Sequence, residues 1–364
     1  MYHKSTNKGY TRCQPKPETT KGEIFQLLYT LFVDDTAFIF ETRNDLERGV
    51  DLLHKHFRRF GLLMHVGITT EDGKLIKSKT EAMYFPSGAS PKETPSKPEI
   101  PPPVTFGERL HVHYTNVFKY LGSRLTPDLT DTVEINNRIQ QATAQVSKLM
   151  NFFKSEASHE RKRDIFQSIH LNTVLYGCET WALTDKHRQK LSAFFHKSIR
   201  RILGISMKTV KDKRLRNEHL RNKICLDNIL DTIRERQFDL LGKIGRMENS
   251  RLPRQTLGAW INTKRKTGKP NTTLAHSYVE TLQEIVDSEI SMKGEFNKWI
   301  PLAKNAKEWG RTKLTWKEKK RMETGELGLS CLGVPALTDW IRPTQLPPTM
   351  QTITAPLTTH YRSS

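Results

Sequence analysis

Two adjacent carboxylates, Asp34 and Asp35, interrupt an otherwise apolar stretch, with Ile24 to Val33 before them and Thr36-Ala37-Phe38-Ile39-Phe40 after. Apolar β-formers around a short polar break predict a strand, an acidic turn and a second strand. Hard oxygen ligands at a turn suit Mg²⁺, which takes one or two carboxylates and completes its shell with substrate phosphates. Two such ions about 3.5–4 Å apart would activate an attacking hydroxyl and stabilise a leaving pyrophosphate. The flanks are expected to lock the turn into a buried sheet, leaving the carboxylates facing solvent. An Asp-Asp pair by itself is more often a solvated turn, so the reading depends on the residues downstream of it.

The elements that must hold this turn are legible in outline. Leu46, Val50, Leu53, Phe57 and Phe60 recur at spacings of three and four, which predicts an amphipathic helix over 44–60. Thr42 or Asn44 would cap it, Asp45 and Glu47 suit its first turn, and Gly61 would stop it. A turn at Glu71-Asp72-Gly73-Lys74, a strand at Glu81 to Phe85 and a pair of strands around Asn116 come next. Between them, 86–103 contains seven prolines and reads as a linker. From Asp131 onward the pattern is helical, with Ile135, Ile139, Ala142, Val146, Leu149 and Phe153 forming one stripe. Further helices are predicted over 159–175, 186–203, 221–247 and 274–290.

Charge is the dominant global fact. The 364 residues carry a net +20, with a pI near 9.8, a hydrophobic fraction of 36% and a mean hydropathy of −0.61. Such a field draws polyanions, and counterion release from phosphates gives sequence-independent affinity. The excess is densest over 197–223, where ten Lys and Arg face two acids. Lys197, Arg200, Arg201, Lys208, Lys211, Lys213, Arg214 and Arg216 are therefore the candidate phosphate contacts, and Lys264-Arg265-Lys266 forms a second basic run. Cys13, Cys178, Cys225 and Cys331 form no CxxC, and His111-x-His113 lacks ligand partners at zinc spacing, so neither a disulfide framework nor a zinc site is indicated. No apolar run reaches the ~18 residues needed to span a bilayer, and the start lacks a secretory h-region, so an intracellular chain with no membrane association is expected.

The order of landmarks after the acidic pair resembles a known family. Phe32-Val33-Asp34-Asp35 is similar to the palm turn of reverse transcriptases. After it come an amphipathic helix, a turn and Lys79-Thr80-Glu81-Ala82-Met83-Tyr84-Phe85, then Phe118-Lys119-Tyr120-Leu121-Gly122-Ser123. Beyond the palm, Glu134-Ile135-Asn136-Asn137-Arg138-Ile139, Val174 to Trp181 with Leu183-Thr184, Phe194 to Ile205, and Leu240-Leu241-Gly242-Lys243-Ile244-Gly245-Arg246-Met247 resemble segments of LINE-like (non-LTR) retroelement polymerases. The resemblance covers about 27–250. It implies that Asp34 and Asp35 are Mg²⁺ ligands and that Lys79 sits near the triphosphate. Phe118, Tyr120, Leu121 and Gly122 would form a primer grip, and an RNA template with a DNA primer would be the partner. Tyr176 and Trp181 read as core residues at a helix end.

The implied fold is α+β: a truncated palm-type antiparallel sheet with one packed helix over 24–125, then a helical thumb-like part over 126–250. A basic helical extension would occupy 251–325, between a disordered lead-in over 1–23 and an irregular tail over 326–364. The family's second carboxylate strand and its Gln-Gly nucleotide-selecting region belong upstream of residue 27, where the only acids are Glu18 and Glu23. The expectation is therefore an incomplete nucleotidyltransferase, nuclear if functional, that is inactive alone unless another chain supplies the missing palm strand. A non-catalytic basic nucleic-acid-binding protein made from the thumb is the alternative, and a decayed reading frame the third.

Overall fold

Short strands and one helix precede residue 126, and helices with one further short strand follow, in a computed structural model that describes residues 2–4, 24–25, 29–33, 35–76, 79–85, 100–257, 259–261, 273–290 and 296–323. The strands are β1 (Tyr2–Lys4), β2 (Ile24–Phe25), β3 (Tyr29–Phe32), β4 (Asp35–Phe38), β5 (Gly67–Thr69), β6 (Leu75–Ile76), β7 (Glu81–Ala82), β8 (Val104–Phe106), β9 (Leu110–Tyr114), β10 (Phe118–Tyr120), β11 (Ser123–Leu125) and β12 (Ala259–Ile261). The helices are α1 (Arg43–Arg59), α2 (Thr132–Lys148), α3 (Met150–Lys154), α4 (His159–Ile165), α5 (Asn172–Val174), α6 (Asp185–Ile202), α7 (Met207–Asp212), α8 (Asn217–Lys223), α9 (Ile229–Arg246), α10 (Leu252–Leu257), α11 (Leu274–Ile285), α12 (Phe296–Lys304) and α13 (Ala306–Glu323).

Helix α1 forms for the reasons its sequence predicts. The Thr42 hydroxyl accepts from the Asp45 N–H at 3.1 Å, and Gly61, at φ +73°, ends the helix with Leu62 N–H donating to the Phe57 carbonyl at 3.0 Å. Phe60, assigned to the apolar face, is instead 70% exposed because the helix has already turned off before it. Val50 packs with Ala82, Phe106 and Val112 in a small core between α1 and the five-stranded sheet. In that sheet the order is β6-β5-β9-β7, with β8 also on β9 and β7 running parallel to it. Two ribbons stand apart from it, β3–β4 and β10–β11, and a third sheet joins β1 to β2 and β12.

Four sequence expectations change. Residues 104–125 hold two hairpins, turning at Gly107 (φ +58°) and at Leu121-Gly122 (φ +47° and +83°), and Asn116 lies in the connection between them. The helix predicted over 221–247 is broken into α8 and α9 by Cys225 at φ +51°, with Asn228 capping α9. The 131–153 stripe bends at Leu149 between α2 and α3. Residues 2–4, expected to be irregular, pair as a strand with both Ile24–Phe25 and Ala259–Ile261. The proline-rich segment over 86–99, the Lys264-Arg265-Lys266 run and the tail from 324 lie outside the described residues.

The helices enclose two cores. Ile135, Phe166, Trp181, Phe195 and Ile233 belong to the first, in which a π-helical turn at Phe166–Leu171 buries Phe166, His170 and Leu171. Phe238, Trp299, Trp309 and Trp316 belong to the second. Helix α9 contributes to both, so the 251–323 helices pack directly on the part before them. Trp309 stacks on Phe238 at 3.8 Å and donates its indole N–H to the Phe238 carbonyl at 3.2 Å. Such an approach requires a missing side chain: a Cβ at Gly242 would overlap Trp309 Nε1, and one at Gly245 would lie 2.8 Å from Ala303 Cβ. The two glycines of the 240–247 landmark are thus notches for α13 and α12. Gly242→Ala is expected to cost about 1–3 kcal/mol by overpacking, measured as a fall in the urea midpoint at unchanged m-value.

Burial also sets a pH dependence. Desolvation lowers the pKa of His111, His170, His187 and His196 below the ordinary 6.5. As pH falls through that value the unfolded chain binds protons that the folded chain refuses, so stability is full above 6.5 and declines toward the depressed folded values. Thermal midpoints measured between pH 7.5 and 5 are expected to drop as pH decreases. A flat profile would show that these imidazoles are solvated.

Candidate functional site

Asp35, the described half of the acidic pair, opens β4. β3 and β4 pair antiparallel from Tyr29↔Phe38 to Phe32↔Asp35, and Val33 follows β3 into the turn. Asp34 itself lies outside the described residues. Tight hairpin turns that match strand twist need positive φ, normally supplied by Gly or Asn. Val33 adopts φ +55°, a strained conformation for a β-branched residue, costing on the order of 1–3 kcal/mol. Asp35 is exposed, and by strand alternation it shares the ribbon face of Thr30 and Ala37.

The flanking apolar residues do not bury the turn as expected. Tyr29, Leu31, Phe32 and Val33 are 57–84% exposed, and the partly buried positions are the small Thr30, Thr36 and Ala37. The reason is topological: among the described residues β3 and β4 pair only with each other, so no neighbouring strand covers the large side chains. Among the described residues one hydrogen bond ties the ribbon to the second hairpin, between the Thr30 and Tyr120 hydroxyls at 2.9 Å. Phe40, just past β4, packs on α1 so closely that a Cβ at Gly49 would overlap its ring.

Tyr120, Leu121 and Gly122 form the tip of β10–β11, with Phe118 stacked beside Tyr120 at 6.3 Å. The tip is held from the helical side. Arg138 donates to the Gly122 carbonyl at 2.6 Å and to Glu134 Oε1 at 2.6 Å, and Glu134 Oε2 accepts the Arg124 N–H at 2.9 Å. The Tyr176 hydroxyl donates to the Leu121 carbonyl at 2.9 Å, and the Arg138 guanidinium lies 4.4 Å over the Tyr176 ring. A Cβ on Gly122 would reach Tyr176 at 3.2 Å, and one on Gly177 would reach Ser123 Oγ at 3.2 Å. Three sequence landmarks, at 118–123, 134–139 and 174–181, therefore meet in space. Trp181 is buried as expected, with its carbonyl accepting from Gln237, but Tyr176 is 48% exposed and faces the hairpin.

Neither Arg138 nor Thr30 stood out in the sequence. A signal for Arg138 existed, since Glu134 and Arg138 share an i+4 row with the buried Ala142. Nearby, burial raises the Asp131 carboxyl above its usual range while its Oδ2 accepts the Ala182 N–H at 2.7 Å. Burial pushes the Cys178 thiol up to about 12, so it is an inert core group. Lys79 stands exposed before β7, its backbone N–H donating to His65 Nδ1 at 3.3 Å.

Whether these residues fit magnesium can be tested on the donor set. Asp35 is the described half of the pair, and among the described residues no group of three or more His, Cys, Asp or Glu could hold a metal ion. The described residues do not by themselves make a two-metal site.

The basic set behaves differently. Lys197, Lys208, Lys211, Lys213, Arg214 and Arg216 are exposed and Arg200 and Arg201 half-buried, along the outer side of α6, on α7 and on the turn into α8. Arg201 reaches Ser147 Oγ at 3.4 Å, yet none of the eight is ion-paired to a described residue. By contrast Lys313, Lys317, Lys320 and Arg321 of α13 are all paired, with Asp227, Glu235, Asp239 and Glu284.

Removing Arg138 would leave the Glu134 carboxylate buried without its cation. Arg138→Ala is expected to cost about 3–5 kcal/mol in urea unfolding, and the double variant Glu134→Gln, Arg138→Met to recover more than half of that. Equal losses for both variants would show that the pair is not what holds this corner.

Comparison with known proteins places the chain in company. No family model matches it, and no solved structure does. It is 21% identical over 283 residues to a transposon-derived protein of Caenorhabditis elegans, a match covering 76% of this chain and 92% of that one. It is 24% identical over 246 residues to a protein of Drosophila melanogaster named as an RNA-directed DNA polymerase from transposon X-element. That second match covers 66% of this chain and 24% of the fly protein, so the chain corresponds to about a quarter of the fly protein's length. The similarity is to transposon-derived proteins. Among the described residues no helix is long and apolar enough to cross a membrane.

Proposed function

We propose that this chain is the portion of a LINE-like RNA-directed DNA polymerase that runs from the acidic hairpin through the thumb. Its role is to hold a primer–template duplex, and it does not extend the primer by itself. The observation that carries this reading is the Thr30–Tyr120 hydrogen bond at 2.9 Å, which puts the Asp35 face of the acidic ribbon beside the Tyr120-Leu121-Gly122 hairpin. Carboxylates next to a primer-gripping turn are what nucleotidyl transfer requires, and the fly relative's name supports the same class. Mg²⁺ would be held by Asp34 and Asp35 with further ligands from outside the described residues, and Lys79 would lie toward the triphosphate.

The eight cations of α6, α7 and the α7–α8 turn, none ion-paired to a described residue, would meet duplex phosphates. That surface also supports the second reading, a basic nucleic-acid-binding protein in which the hairpin has no catalytic part. Both readings predict binding and no extension by this chain alone; extension that appears when an upstream palm segment is supplied in trans, and is lost with Asp34→Ala, separates the first from the second.

Affinity for a fluorescent primer–template is expected to fall linearly on a log–log plot against salt, with a slope near −0.9 per phosphate neutralised. Lys208→Ala, Lys211→Ala and Arg214→Ala should each weaken binding and reduce that slope by about one, whereas Asp35→Ala should leave it unchanged. Salt-independent binding would remove the phosphate interface. Primer extension by the 364-residue chain with Mg²⁺ and dNTPs, abolished by Asp34→Ala, would overturn the claim that it cannot polymerise alone.

A further inference from the structure

Among the described residues the β10–β11 ribbon pairs with no other strand. Its connections to the rest of the protein are unequal. On the helical side its tip receives the Arg138 guanidinium at the Gly122 carbonyl and the Tyr176 hydroxyl at the Leu121 carbonyl, and its return strand gives the Arg124 N–H to Glu134. Arg138 is itself fixed by Glu134 Oε1 and by the ring beneath it, and is 8% exposed. On the other side, among the described residues, there is one hydrogen bond, between Tyr120 and Thr30 of the acidic ribbon. That ribbon, β3–β4, is likewise paired only with itself among the described residues.

From this asymmetry we infer that Arg138 and Tyr176 are positioning residues that fix the β10–β11 tip to the helical part. Through Tyr120 and Thr30 they then set where the acidic ribbon stands. The order is one-directional. The tip does not need the acidic ribbon to hold its place, but the acidic ribbon has Tyr120 as its polar tether to the tip. Two features support a built latch over incidental contact. Leu121 is held at φ +47°, which a leucine adopts only when its surroundings impose it, and both acceptors at the tip, the carbonyls of 121 and 122, are engaged. Gly122 and Gly177 also leave room where any Cβ would press on Tyr176 or Ser123 at 3.2 Å. The inference concerns mechanical coupling and stands whether or not the chain belongs to a polymerase.

Hydrogen exchange read by mass spectrometry on the full chain tests it, because local opening reports each ribbon separately. Tyr176→Phe removes one hydroxyl and keeps the ring under Arg138. Arg138→Lys keeps the charge and loses the planar fork. Each is expected to speed exchange over 118–125 by about tenfold, the scale of one hydrogen bond. Exchange over 29–38 should rise by a smaller factor of about three, while 185–202 stays at the wild-type rate. Thr30→Val should speed 29–38 alone. Adding Tyr176→Phe to Thr30→Val should then produce no further change over 29–38, the signature of a shared path in a double-mutant cycle. The inference is overturned if Tyr176→Phe leaves 118–125 unmoved, if 118–125 speeds up while 29–38 does not, or if 185–202 speeds up equally, which would mark general destabilisation.

Discussion

A guanidinium that is nearly out of water must be paired, and that requirement organises the junction between the strands and the helices. Isolated burial of a cation costs several kcal/mol even after relaxation. Arg138 meets this with a carboxylate one helical turn away, a backbone carbonyl across the junction and an aromatic face below. Each partner comes from a different element, α2, the β10–β11 turn and the segment after α5. The charge thus acts as a specificity device more than a source of stability, because only one arrangement of the three satisfies it. Glu134 extends the same logic by spending its second oxygen on the Arg124 N–H.

The rest of the helical body is arranged by shape. Helix α9 is shared by two cores, and its second half can approach α12 and α13 only because Gly242 and Gly245 carry no Cβ. Trp309 fills the first notch and bonds the Phe238 carbonyl. Ion pairs run along the same seam: Asp227, Glu235 and Asp239 recur at multiples of four on the segment that leads into and along α9, and meet Lys313, Lys317 and Arg321. Apolar contacts place α13, and the paired charges fix its register.

Local rules with local causes were legible in the sequence. Helix α1 was readable because its spacing, its Thr42 cap and its Gly61 stop all lie within twenty residues. The acidic hairpin was readable from apolar runs around Asp34-Asp35. The two hairpins of 104–125 were not, because Leu121 gives no sign that it will accept a positive φ and Asn116 offered a more ordinary turn. The α8–α9 break was hidden for the same reason, with Cys225 carrying the unusual φ. The burial expected of Tyr29, Leu31 and Phe32 rested on composition alone, and composition does not say whether a neighbouring strand is present to cover them. Arg138 was visible as a residue of a landmark yet invisible as its centre, since its partners lie 16 and 38 positions further along or back in the chain.

The distribution of cations separates structural from available charge. The total of +20 does not distinguish a solvated surface from a binding face. Pairing does. Lys313, Lys317, Lys320 and Arg321 of α13 are paired with acids of the same fold, and Lys317, although burial would lower its pKa, is held above the ordinary lysine value by Asp227 and Glu235. The eight cations from 197 to 216 meet no described acid; three stand on α6 and five on short α7 and the turn after it, where Arg214 is held at φ +49°. Like charges so close repel one another in the absence of an anion, and the fold keeps them together only because α6 and α8 anchor the segment at both ends through Phe195, Ile199 and Leu220. An arrangement that bears its own repulsion is one whose energy is lowered most by a polyanion laid across it, and on that ground the proposed nucleic-acid contact is assigned to the α6–α8 face and not to the more evenly charged α13.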